Sequence, residues 1–132
     1  MHSISWQTMV AVGMGGAIGA ISRVYLNGLI NSKVMHDLPL GTLGVNLIGS
    51  FIMGMLFAYF LHTTLLSMHM KSFLSTGILG ALTTYSTFAI ESFILLQTGS
   101  YFLAVSNMML NTIGTVVMAG IGFTLINVIF AP

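Results

Sequence analysis

The chain has 132 residues, of which 56% are hydrophobic and 4% are charged, and its mean hydropathy is +1.01. An ordinary soluble domain carries about 25% charged residues, so this composition excludes a water-soluble globular domain, and its apolar content excludes intrinsic disorder. The net charge of +1 offers no basic field for nucleic acid, and a sequence with no cysteine has no disulfide or thiolate metal site. The sequence therefore predicts a protein whose solvent is the lipid bilayer.

Four predominantly apolar stretches are long enough to cross a membrane, which takes about 20 residues. They predict helices over Ile4–Ile30, Gly41–His62, Phe73–Gln97 and Tyr101–Phe130. The predicted connections are Asn31–Leu40, Thr63–Lys71 and Thr98–Ser100. Because these connections are short, we expect successive helices to run antiparallel in a single transmembrane domain, residues 1–132. The first stretch lacks the basic segment and cleavage site of a secretory leader, so we expect it to be a span.

The positive charges give little information about orientation. With four spans, the N-terminus and Lys71 fall on one side of the membrane, and Lys33 and Arg23 fall on the other. The positive-inside rule requires an excess of Lys and Arg on one side, and here the two sides nearly balance. Two alternatives stay open: a weak but definite orientation, or insertion in both orientations, which would permit an antiparallel homodimer.

Small residues recur at the spacing that lets membrane helices approach closely. The sets are Gly15 and Gly19; Ser50, Gly54 and Ala58; and Thr115 and Ala119. They predict close helix packing. The sequence leaves open whether these contacts lie within one chain or between two chains.

The third span carries the most informative pattern. Five consecutive hydroxyl side chains, residues 83–87, lie near its midpoint and follow Gly77 and Gly80. Glycine and threonine are mediocre helix formers, and hydroxyl groups offer the backbone alternative hydrogen bonds. Two structures are compatible with this: a continuous helix whose hydroxyls bond to carbonyls one turn back, or a helix interrupted at mid-membrane. We favour the interruption, which is tolerated only where the backbone is buried in protein or lines a wet cavity.

An interruption would free backbone dipoles inside the membrane. The first half-helix would end with unpaired carbonyls, which suit a small cation, and the second would begin with free N–H groups, which suit an anion. Tyr85 and Phe88 lie three residues apart and share a face of the second half-helix. The positive edges of their rings are suited to an anion pathway. Packing against lipid or core is the alternative, and for an isolated aromatic pair it is the favoured one.

Three more polar residues lie in or near the spans. Asn46 is either a hydrogen-bonding contact between helices or a donor in an ion pathway. Glu91 is an intramembrane carboxylate and thus a functional candidate, with Arg23 or hydroxyl groups as its expected partners. Arg23 is close enough to its helix end to reach the interface. The sequence contains no cluster typical of a catalytic site, so we expect no enzyme.

Three motifs stand in a specific order and spacing. They are Gly15-Gly16-Ala17-Ile18-Gly19-Ala20 with Arg23; Pro39-Leu40-Gly41-Thr42-Leu43-Gly44-Val45-Asn46 with Gly49; and Gly80-Ala81-Leu82-Thr83-Thr84-Tyr85-Ser86-Thr87-Phe88 with Glu91. Each motif is weak alone. Together, in a four-span chain of this size, they resemble the Fluc/CrcB family of fluoride channels over essentially the whole chain.

The resemblance implies an all-α integral membrane protein with four transmembrane helices per subunit and a broken third helix. It also implies an antiparallel, dual-topology homodimer with two fluoride pathways. The implied function is passive export of fluoride through the bacterial cytoplasmic (inner) membrane, which protects the cell from accumulated fluoride.

The resemblance also implies residue roles. Asn46 is implied as the amide that donates to the ion, and Tyr85 and Phe88 as the two rings whose edges face fluoride. The other implied residues are the pathway hydroxyls Thr42, Ser86, Thr87 and Thr115 and the vestibule residues Arg23 and Glu91. The backbone carbonyls of Gly80 and Thr83 are implied to hold a structural sodium ion (Na+) at the dimer interface. The first ring is usually Phe in the family and is Tyr85 here, so a departure from the family norm is expected in rate or in selectivity.

Two other functions stay open. A small dual-topology, proton-coupled multidrug exporter is also built from four short helices. Such an exporter needs an essential carboxylate, usually in the first helix, whereas here Glu91 is in the third span. A structural subunit of a larger membrane complex is the other alternative, and it would show no ion flux as a purified protein.

Overall fold

The computed structural model describes residues 5–33 and 37–130, and within these ranges the chain is helical and contains no strand. The helices are α1, Trp6–Lys33; α2, Leu40–His62; α3, residues 68–82; α4, Tyr85–Gln97; and α5, Tyr101–Phe130. The third span, Met68–Gln97, consists of α3 and α4, so four spans are long and apolar enough to cross a membrane. The predicted all-α, four-span membrane fold is confirmed. Ile4, the predicted start of the first span, lies outside the described residues.

The third span begins earlier than the sequence predicted. It starts at Met68 rather than Phe73, because the Ser67 side chain accepts a hydrogen bond of 3.3 Å from the Met70 N–H and caps the helix. The connection predicted over Thr63–Lys71 is therefore shorter than expected and ends at Ser67.

The third span is interrupted at Thr83 and Thr84. Both residues have extended backbone, with φ −79° and ψ 154° at Thr83 and φ −148° and ψ 113° at Thr84. The interrupted helix is therefore confirmed, and the continuous helix is wrong. Wider π-helical turns occur at Phe73–Leu79, ahead of the interruption, and at Leu110–Gly114 in α5.

The small residues bring helices together within one chain. A Cβ atom at Gly19 of α1 would collide with the carbonyl of Ile78 in α3, and one at Gly54 of α2 would collide with the carbonyl of Ala119 in α5. Backbones this close require glycine at both positions. The contacts of Gly19 and Gly54 are therefore made within one chain.

The chain forms two tightly packed helix pairs, α1 with α3 and α2 with the C-terminal half of α5, while α4 contacts the N-terminal half of α5. The centre where these elements meet is polar. Its buried polar side chains are Thr42, Asn46, Thr84, Ser92, Asn107 and Asn111. Buried polar groups need hydrogen-bond partners in a bilayer, so this cluster is where the interruption must be stabilised.

Candidate functional site

Asn46 binds both backbone groups of Thr84, the second residue of the interruption. Its Oδ1 accepts a hydrogen bond of 2.7 Å from the Thr84 N–H, and its Nδ2 donates one of 3.1 Å to the Thr84 carbonyl. Because the backbone groups fix which partner donates, the Asn46 amide has one possible orientation. The interhelical contact that the sequence offered as one alternative for Asn46 is therefore present.

A chain of side-chain hydrogen bonds continues from Asn46 into α5 and back to α4. The Asn46 Nδ2 donates to Asn111 Oδ1 at 2.8 Å, and the Asn111 Nδ2 donates to Asn107 Oδ1 at 2.9 Å. The Asn107 Nδ2 donates to Ser92 Oγ at 2.9 Å, and the Ser92 hydroxyl donates to the Phe88 carbonyl at 2.9 Å. This amide chain, from Asn46 to Ser92, ties α2, α4 and α5 together around the interruption.

Sequence analysis did not single out Asn107, Asn111 or Ser92. The signal for the two amides was their spacing, because residues four apart share a helix face, and an amide in an apolar span needs a partner. The partner that this helix face meets depends on how the helices pack and on the π-helical turn Leu110–Gly114, which contains Asn111. Turns of this kind often occur at functional sites.

The hydroxyl groups of residues 83–87 are mostly engaged. The Thr83 hydroxyl donates to the Leu79 carbonyl at 3.1 Å. The Thr84 hydroxyl oxygen accepts from the Thr87 N–H at 3.3 Å, lies 2.9 Å from Thr87 Oγ1, and lies 3.4 Å from Ser86 Oγ. Thr84 is thus the N-cap of α4. Its hydroxyl oxygen accepts a hydrogen bond from one of the N–H groups that the interruption would otherwise leave free.

The interruption separates the carbonyls of Gly80 and Thr83 from their helical donors. In a continuous helix these carbonyls would accept from the N–H groups of Thr84 and Thr87. Those N–H groups bind Asn46 and the Thr84 hydroxyl instead. Gly80 is exposed and Thr83 is half-buried. Carbonyl oxygens are suitable ligands for a small hard cation, so the chemistry of this pair fits the predicted sodium ion.

A groove of about 350 Å³ lies beside the interruption and is lined by α2, α4 and α5 as well as by the interruption itself. It brings together four of the predicted pathway residues: Asn46, Tyr85, Phe88 and Thr115. Its other lining residues are Ser50, Thr83, Thr84, Asn111, Thr112 and Val116. We call this cavity the interruption groove.

Tyr85 and Phe88 form an edge-to-face pair, with ring centroids 5.2 Å apart and planes at 75°. Phe88 is buried at 7% exposure, whereas Tyr85 is 78% exposed. The predicted shared face is therefore present, but the two rings differ in environment. Phe88 packs inside the chain, whereas most of the Tyr85 side chain lies on the surface of the chain.

A second groove, of about 370 Å³, also reaches the interruption. It is lined by Arg23, Val24, Asn27, Gly28, Thr84 and Thr87. Arg23 therefore lines a groove that extends to the interruption, and its predicted reach to the membrane interface stays a prediction. Thr84 lines both grooves, so the interruption lies between the two.

Glu91 and Thr42 form a separate polar contact. The Thr42 hydroxyl donates to Glu91 Oε1 at 2.7 Å, and the Asn27 Nδ2 lies 3.4 Å from Thr42 Oγ1. The other oxygen, Glu91 Oε2, is buried without a hydrogen-bond partner in the part of the chain that the structure describes. Of the two partners expected for Glu91, the hydroxyl group is confirmed and Arg23 is wrong.

The predicted residues thus fall into several groups. Asn46, Tyr85, Phe88 and Thr115 share the interruption groove, and Thr87 lies with Arg23 in the second groove. The remaining residues, Thr42, Glu91 and Ser86, line neither groove. The ion-pathway roles of all these residues stay predictions.

Comparison with known proteins gives the class of this protein. Residues 10–123 match the family described as CrcB-like protein, Camphor Resistance (CrcB). A protein of Sulfurimonas denitrificans named fluoride-specific ion channel FluC is 63% identical over 123 residues, covering 93% of this chain and 95% of that protein. Relatives with the same name in Nautilia profundicola and Campylobacter lari are 49% and 46% identical, covering 91% and 88% of this chain and 94% of each relative. The chain is a multi-pass membrane protein, and it belongs to the CrcB family.

Asn46→Ala should release the backbone of Thr84. Both Thr84 groups would lose a buried partner, so we expect amide hydrogen exchange at residues 83–87 to accelerate by about tenfold or more. Exchange can be measured by mass spectrometry on the protein in detergent. Asn127→Ala is the matched control, because Asn127 bonds to His62 at 2.7 Å at an exposed site. Unchanged protection in Asn46→Ala would contradict this role of Asn46.

Proposed function

We propose that this chain forms a fluoride-selective passive channel that exports fluoride across the bacterial cytoplasmic membrane and so reduces its toxicity. The observation that carries the proposal is the interruption groove, in which hydrogen-bond donors and two aromatic rings meet at a break in a membrane-spanning helix. The names of the relatives point in the same direction, since the CrcB proteins compared above are called fluoride-specific ion channels.

The chemistry of the groove suits a small, strongly hydrated anion. Such an ion leaves water only where other donors replace its hydration shell. The groove offers hydroxyl and amide groups, and the ring edges of Tyr85 and Phe88 carry partial positive charge. α4 begins at Tyr85, so the positive end of its dipole lies at the groove. Transport down an electrochemical gradient requires no further machinery.

The proposed pathway has three parts, each formed by predicted residues. Asn46, Tyr85, Phe88 and Thr115 line the part of the pathway at the interruption groove. Ser86 and Thr87 continue it as a polar track. The proposed vestibule residues are Thr42, Arg23 and Glu91.

The working unit that we propose is an antiparallel homodimer with two pores. In one chain the aromatic pair is incomplete as an enclosure, because Tyr85 is 78% exposed. A second copy related by a twofold axis would present the same surface in return and could close both grooves at once. The near balance of positive charges across the membrane favours insertion in both orientations.

The proposed dimer also explains the freed carbonyls of Gly80 and Thr83. Two carbonyls form an incomplete shell for a hard cation, which takes about six or more oxygen ligands. A second copy would double the number of protein oxygens at the twofold axis. These carbonyls are therefore the groups that would hold a structural sodium ion, whose charge would offset the negative ends of the two interrupted helices.

Purified protein in liposomes should release fluoride but not chloride, without a pH gradient. Asn46→Ala should reduce the fluoride rate by about tenfold or more, because it removes a groove donor and loosens the interruption. Ion-selective electrodes measure both anions in the same preparation. Comparable chloride release would contradict selectivity. Release that requires a proton gradient would favour the exporter alternative, and release of neither anion would favour a structural subunit.

Single cysteines should report the orientation, because the natural chain contains none. Thr64→Cys and Thr98→Cys place a thiol in the exposed connections on opposite sides of the membrane. If the protein inserts in both orientations, an impermeant thiol reagent added outside should label about half of each variant. Full labelling of one variant and none of the other would contradict the antiparallel dimer.

Sodium removal should weaken the dimer. Replacing sodium with a large organic cation should lower both the thermal stability of the dimer and the fluoride rate, because the freed carbonyls would face each other without a cation. Readdition of sodium should restore both, with potassium as the matched control. If exhaustive sodium removal leaves both the stability of the dimer and its fluoride rate unchanged, the sodium site is refuted and the channel proposal stands.

A further inference from the structure

Ser50 is a polar side chain of the interruption groove with no hydrogen-bond partner among the described residues. It lies on α2 four residues after Asn46, so both residues occupy the same helix face. Ser50 is half-buried and lines the groove. Within residues 5–33 and 37–130, its hydroxyl forms no hydrogen bond, and its oxygen is not among the enclosed polar atoms. The hydroxyl therefore keeps its proton available to the groove.

The neighbouring donors in the groove are already engaged. The amide hydrogens of Asn46 and Asn111 are held in the amide chain. The hydroxyls of Thr83, Thr112 and Thr115 donate to carbonyls of the preceding turn. For any of these groups, donation to an ion first requires an existing hydrogen bond to break.

Two hydroxyls remain to be compared with Ser50. The Thr84 hydroxyl is held in the cap of α4, where it bonds to Thr87. The Tyr85 hydroxyl has no partner in the described part of the chain, but its ring is 78% exposed. Ser50 is half-buried, so a smaller fraction of this residue than of Tyr85 is exposed at the surface of the chain.

On the basis of the fluoride channel proposed above, we propose that the Ser50 hydroxyl donates a hydrogen bond to fluoride in the interruption groove and is a specificity-determining residue. An O–H donor to a small anion forms a short, charge-assisted hydrogen bond, which is about twice as strong as a neutral one. Ser50 can form this bond without breaking another one. A larger halide spreads its charge over a larger surface and gains less from the same donor.

Three variants test the role of Ser50 in liposomes. Ser50→Ala should lower fluoride release by about tenfold, because a hydrogen bond to a charged group is lost. Ser50→Thr keeps the hydroxyl and should retain a rate closer to wild type than Ser50→Ala does. Ser106→Ala is the matched control: Ser106 is also half-buried in a span but does not line the groove, and its rate should equal that of wild type.

The outcomes separate this role from the proposed function. If wild-type protein releases fluoride and Ser50→Ala does so at the same rate, Ser50 is not an ion donor and the channel proposal stands. If wild-type protein releases no fluoride, both proposals fail. If Ser106→Ala lowers the fluoride rate as much as Ser50→Ala does, the effect is one of general packing and the role of Ser50 is overturned. The same holds if Ser50→Ala lowers the thermal stability of the dimer in parallel with the fluoride rate. Selective loss in Ser50→Ala, with rescue in Ser50→Thr, supports it.

Discussion

The bond pair between Asn46 and the backbone of Thr84 is the constraint on which the rest of the structure depends. Freed N–H and C=O groups are costly inside a bilayer, because lipid offers them no hydrogen-bond partners. One amide side chain has both a donor and an acceptor, and here it satisfies both groups of a single residue. This contact holds the extended backbone of Thr84 at the N-terminus of α4 and beside the groove.

The amide chain extends that constraint across the molecule. Asn111 and Asn107 pass the hydrogen bonds from α2 to α5, and Ser92 returns them to the carbonyl of Phe88 in α4. A buried polar network of this kind stabilises a fold only when its members are satisfied. The same satisfaction has a functional consequence, because an engaged donor must break an existing hydrogen bond before it can bind an ion. Among the described residues, the Ser50 hydroxyl has no such bond to break, which is the basis of its proposed role.

The exposed side of the interruption is the surface that the proposed dimer would cover. Tyr85 carries its aromatic ring on the outside, and Gly80 is exposed. The helix contacts that hold the chain together are made elsewhere, by Gly19 and Gly54. Internal packing and the proposed dimer surface therefore use different residues, so a variant can disturb one of them without the other.

The sequence by itself determined the four spans and the position of the interruption. A helix that crosses lipid must be apolar along its length, and the hydroxyl-rich stretch 83–87 is a local signal. Both features can therefore be recognised in short stretches of sequence. Tertiary structure alone decided the partners: Asn46 meets Thr84 and Asn111 across 38 and 65 residues of chain, Thr42 meets Glu91 across 49, and Arg23 lines a groove that extends to the interruption. Hydrogen-bond pairing at such separations depends on how the helices pack and rotate against one another, and residue type does not encode that register.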